Sequence, residues 1–98
     1  MTPDTDEKFY ERADAHINLA NDQLAGASRG KTSASMMFAA SRFNAWVSAH
    51  DFESGADMAS KRQEITEYFL GQYRAMLDTN LDNYIENFEA FMNPKAGS

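Results

Sequence analysis

The chain has 98 residues, the size of one domain, and its fifteen acidic and nine basic residues give a net charge of −6. It contains no cysteine, which excludes a disulfide scaffold, a thiolate metal site and a cysteine nucleophile. The acidic balance argues against binding to nucleic acids or anionic membranes, and no segment approaches the roughly 20 apolar residues of a membrane span. We therefore expect a single domain, 1–98, that is cytoplasmic and has no cofactor.

The first helix is predicted over about residues 6–25. Asp4 and Glu7 have the spacing of a capping box, and Thr5 is an alternative cap. A segment that contains two glycines follows and predicts a loop before the next helix. The apolar stripe of this helix has helical spacing and consists of Phe9, Ala13, Ile17, Ala20 and Leu24.

The second helix is predicted over residues 33–49, with Thr32 or Ser33 at its start. Apolar residues extend around almost its whole circumference, which is typical of a central helix with two neighbours. Its main face consists of Met36, Ala39, Ala40, Phe43, Trp46 and Val47. The strip predicted to face solvent consists of Ser41, Asn44 and Ser48.

The third helix is predicted over residues 57–92, with Asp57 as its cap. From Ile65 to Phe91, large apolar side chains recur in steps of three and four without losing phase. An unbroken helix of that length would span roughly 54 Å. Because a domain of this size has a radius of gyration of only about 13 Å, the helix must bend back or have a partner that covers its far end.

One feature challenges a single continuous third helix. Thr79 and Asp82 have the spacing of an internal capping box, and residues 78–80 are poor helix formers. Because the apolar residues keep the same helical spacing across residues 78–80, we predict one long helix that is continuous or kinked. The predicted fold is an all-α, three-helix bundle-like architecture with a frayed tail over 93–98.

Several sequence strings resemble a known family. The strings are Phe9–Ile17, Leu19–Gln23, Ala34–Ala40, Arg42–Ala45, Tyr73–Asp78 and Asn80–Tyr84. Together they span nearly everything from Phe9 to Phe91, and the chain resembles the small bacterial family of uncharacterised proteins catalogued as domain of unknown function 3144. The resemblance implies a bacterial, cytoplasmic, helical protein. It implies no activity, cofactor, partner or site residue.

The aromatic end of the third helix is the best functional indication. Lys61 and Arg62 lie at the start of this helix, and Asp78, Asp82 and Glu86 form an acidic ladder near its end. Antiparallel pairing of two copies would bring these opposite charges together and bury both apolar stripes, so we predict a homodimer. The alternative is a monomer in which the end of the helix folds back over the first two helices. The predicted interface residues are the apolar Leu81, Tyr84, Phe88 and Phe91, named here the C-terminal stripe, together with Lys61 and Arg62.

A single arginine interrupts the apolar second helix. Arg42, if partly buried there, needs a carboxylate partner, because an unpaired buried charge is costly. Asp14 on the first helix or Glu67 on the third could supply the carboxylate, and such a link would fix the helix register. The alternative is a side chain that extends its charged end into water.

These patterns favour a non-enzymatic interaction or adaptor protein that acts as a homodimer and has a possible further protein partner. An enzyme or metal site is the least favoured, because His16, His50 and Asp51 could meet only in three dimensions. The second hypothesis is a small-ligand-binding protein whose apolar pocket is lined by Met36, Met37, Phe43, Trp46 and Tyr73.

Overall fold

A computed structural model describes residues 4–94, and α-helices are the only helices or strands in that range. The all-α class is confirmed. The number of helices was predicted wrongly, because the third helix is divided into three. The five helices are α1 (Phe9–Gln23), α2 (Arg29–Ala49), α3 (Gly55–Ser60), α4 (Arg62–Glu86) and α5 (Phe88–Met92).

The chain divides into two compact units at the boundary between His50 and Asp51. The first unit contains α1 and α2, which pack against each other as a helical hairpin. In the second unit, α4 contacts both α3 and α5. The single domain over 1–98 stays a prediction. Within the predicted frayed tail, residues 95–98 lie outside the described residues.

The first helix begins at Phe9 rather than near residue 6, so its predicted start was wrong. The Asp6 carboxylate accepts a hydrogen bond from the Lys8 amide at 3.1 Å and pairs with Arg12 Nη2 at 2.8 Å. The side-chain hydrogen bond from Arg12 is the main reason that the pKa of Asp6 is lowered. Because this pair is exposed to solvent, it adds little to stability.

Serine residues cap the next two helices. Ser28 has extended backbone angles and its Oγ accepts a hydrogen bond from the Lys31 amide at 3.2 Å, so α2 begins at Arg29, earlier than predicted. Ser54 Oγ likewise accepts a hydrogen bond from the amide of Asp57 at 3.1 Å. The capping role predicted for Asp57 was therefore wrong, since this residue lies inside α3.

The predicted third helix is interrupted at both ends and not in its middle. Lys61 (φ −111°, ψ 9°) and Asn87 (φ −117°, ψ 26°) leave the helical region, and these residues separate α3, α4 and α5. Asn87 Nδ2 donates hydrogen bonds to the carbonyl and the side-chain oxygen of Asn83, which fixes the second break. Between the breaks, α4 runs through residues 78–80 without interruption, as predicted.

Residues 4–94 contain no buried hydrophobic side chain, and the only buried residue among them is Thr32. The ion pairs of this range, Arg12–Asp6 and Lys61–Glu64, join residues close in sequence. Since burial of apolar surface is the dominant favourable term in folding, a single copy of this part of the chain has little to offset its conformational entropy.

Helix α2 differs from its predicted role as a central helix. Within its unit it packs on one helix, α1, and its large apolar side chains are exposed. Asn44 and Ser48 were predicted to face solvent, yet both are half-buried. One neighbour can cover only one side of a helix that is apolar around most of its circumference. The central role predicted for α2 was therefore wrong, and of the strip predicted to face solvent only Ser41 is exposed.

Candidate protein-interaction surfaces

The C-terminal stripe lies on α4 and α5 and is open to solvent. Its four side chains are between 45% and 53% exposed. The rings of Tyr84 and Phe91 meet across the break at Asn87, with centroids 4.9 Å apart and an interplanar angle of 63°. This contact orders the two rings but leaves the apolar surface uncovered. The predicted role of these four residues as an interface stays a prediction.

Charged residues lie at both ends of α4. Lys61 Nζ is 3.6 Å from Glu64 Oε1, and this pair is exposed and weak. Arg62 is also exposed, as are the acidic residues Asp78, Asp82 and Glu86. Within the described range no ion pair involves these last four residues. The structure therefore leaves their charges available to another molecule.

A second exposed apolar surface lies on α2. It is named here the α2 surface and consists of Met36, Phe43, Trp46 and Val47, which are between 39% and 61% exposed. The Trp46 ring lies 5.5 Å from that of Phe43 and 4.4 Å from that of His50, measured between centroids. His50 Nδ1 donates a hydrogen bond of 2.8 Å to the Trp46 carbonyl, which holds the imidazole in place. The sequence interpretation assigned these residues to a core and so missed this surface.

The predicted structural link of Arg42 to Asp14 is not formed. Both side chains are exposed, and no ion pair joins them. Glu67, the other predicted partner, is exposed and accepts a hydrogen bond from Gln63 Nε2 at 3.1 Å. An exposed arginine does not need a buried counter-charge, and the alternative of a charged end in water describes Arg42 correctly.

Two cavities are present within the separate units, and neither is the predicted apolar pocket. The first, of about 530 Å³, lies at the α1–α2 turn and is lined in part by Asp22 and Lys31. The second, of about 300 Å³, lies between α3 and α4. Neither is lined by any residue of the predicted ligand pocket, and four of those five residues belong to exposed surface on α2.

Thr32 lies where α2 leaves the turn, and it is only 6% exposed. Its Oγ1 is buried and has no hydrogen-bond partner in the described part of the chain. Because an unsatisfied buried hydroxyl is unfavourable, we expect Thr32→Val to raise the free energy of unfolding by about 1 kcal/mol. Urea unfolding at one protein concentration measures this. Thr32→Ala, which also loses a methyl group, should be less stable than the valine variant, and a valine variant weaker than wild type would contradict the assignment.

Over residues 4–94, no group of three histidine, aspartate or glutamate side chains could hold a metal ion, and His16, His50 and Asp51 form no such group. No helix in this range has the length and apolar character needed to cross a bilayer.

The fold and its surfaces define a small all-α protein whose apolar helix faces are exposed. The match that identifies its family covers residues 9–85, and the chain belongs to the family described as protein of unknown function (DUF3144). It is similar to a solved structure, the NMR structure of the protein NB7890A from Shewanella sp., with 38% identity and a TM-score of 0.75. That similarity covers 97% of this chain and 98% of the other. No curated protein matches the chain.

Proposed function

We propose that this protein is a non-enzymatic interaction or adaptor module that acts as a homodimer through the C-terminal stripe. The observation that carries the proposal is the exposure of every side chain in that stripe, in a chain whose described residues bury no apolar side chain. Apolar patches of this kind usually mark interfaces. We place the dimer in the cytoplasm, which agrees with the absence of cysteine.

The amount of exposed apolar surface supports self-association. Large hydrophobic side chains on α1, α2, α4 and α5 are exposed within the described residues. Burial of apolar surface is the dominant favourable term in most protein association, so a partner that covers these side chains would stabilise the complex. A second copy is the simplest partner, because a two-fold interface needs one self-complementary surface.

The charge distribution along α4 supports an antiparallel arrangement. Lys61 and Arg62 lie at its start, and Asp82 and Glu86 lie near its end. Two antiparallel copies place the basic start of one helix near the acidic end of the other. Burial of the stripe then provides affinity, while these exposed charges favour one orientation over the other.

Light scattering coupled to size-exclusion chromatography tests the proposal. At micromolar concentration we expect a mass twice that of the 11.0 kDa chain. A mass equal to one chain would remove the main support for the proposal. It would favour the alternative in which the stripe is covered within a monomer.

A further inference from the structure

The α2 surface belongs to the first unit, whereas the C-terminal stripe belongs to the second, and its residues are also exposed. Trp46 and Phe43 are the most exposed of its four residues, and both are large aromatic side chains of the kind that dominate interface energies. An interface that buries only the C-terminal stripe would leave this second surface in water.

The charge of α2 restricts what can cover it. The segment from Arg29 to Ala49 contains three basic residues, Arg29, Lys31 and Arg42, and no acidic residue. Two copies of α2 would therefore repel each other across a shared interface. The other long helices of the chain are acidic and carry apolar stripes: α1 has three acidic residues against one basic, and α4 has five against two.

We infer that the α2 surface docks an acidic helix of a second copy of this chain. The occupant combines an apolar face, which covers Phe43 and Trp46, with carboxylates that reach the exposed guanidinium of Arg42. This inference rests on the proposed self-association and adds a second surface to it.

Quenching of tryptophan fluorescence tests whether the surface is covered, because Trp46 is the only tryptophan in the chain. The neutral quencher acrylamide is added to the full-length protein at a concentration where light scattering shows a dimer. We expect quenching several-fold weaker than that of free N-acetyltryptophanamide. The His50 ring lies 4.4 Å from the tryptophan ring and affects its environment, so the protein and the free compound are measured in the same buffer. Quenching as strong as that of the free compound in a proven dimer would overturn the inference and leave the proposed dimer intact.

Charge reversal tests the chemistry of the occupant. Arg42→Glu should raise the dimer dissociation constant about tenfold, as measured by sedimentation, because attraction becomes repulsion at two symmetric sites. The control is Lys8→Glu, the same reversal of charge at an exposed residue that precedes α1, which should not weaken the dimer. An unchanged dissociation constant for Arg42→Glu would contradict the inference.

A second charge reversal that compensates for Arg42→Glu would identify which acidic helix docks on the α2 surface. Asp14→Lys in α1 and Asp78→Lys in α4 are each combined with Arg42→Glu. Recovery of affinity in one of the two combinations supports the inference and assigns the docked helix. Recovery in neither combination would overturn it, even if the Arg42→Glu variant alone weakens association.

Discussion

Replacing Leu81 by aspartate is expected to dissociate the dimer. Leu81 is the first of the four residues of the C-terminal stripe and is exposed in the single chain, so its burial depends on a partner. Each copy would lose apolar burial and would place a carboxylate in a dry interface, and two-fold symmetry doubles both losses. We expect the dissociation constant to rise at least about a hundredfold, which size-exclusion light scattering would show as conversion to single-chain mass.

Thr79→Asp is the matched control for Leu81→Asp. Thr79 is exposed, lies on the same uninterrupted part of α4, and receives the same new charge. It lies about 160° around the helix from Leu81, away from the stripe. This variant should therefore remain a dimer. Equal weakening by both substitutions would show that the added charge, rather than burial of the stripe, controls association.

The long helices could be predicted from the sequence because their apolar residues keep helical phase. The stretch from Ile65 to Tyr84 is uninterrupted in the structure for this reason, and the poor helix formers of 78–80 do not break it. The ends of the helices depend on single side chains. Ser28 and Ser54 act as caps through one hydrogen bond each, and many other serines and aspartates in the sequence have similar spacing.

The candidate surfaces were predictable only in part. Phe88 and Phe91 were identified because the chain has too few helices to cover them, and this argument needs no coordinates. Trp46 and Phe43 were misassigned, because an apolar stripe at helical spacing is equally compatible with a core and with an interface. Periodicity shows that a face must be covered; it does not show which molecule covers it.

The exposed apolar faces also connect association to folding. Residues 4–94 bury no hydrophobic side chain, and the ion pairs among them join residues no more than six positions apart. Isolated helices are marginal in water, and most helical stability in proteins comes from packing of an apolar face. A second copy that covers these faces would therefore provide the missing burial, and the folded chain and the dimer would form together.

Coupled folding and association make the melting temperature depend on concentration. With about 0.7 kcal/mol per residue, a dimer of two 98-residue chains unfolds with an enthalpy of about 140 kcal/mol. A hundredfold increase in protein concentration should then raise the melting temperature by about 7 °C, whereas a monomer that unfolds in two states shows no such shift. Circular dichroism at 222 nm, which reports helix content, follows unfolding at both protein concentrations. The two samples should have the same helix content before heating. A constant melting temperature in a protein that light scattering shows to be dimeric at the starting temperature would mean that the dimer separates into folded monomers before they unfold, and the coupling would be contradicted.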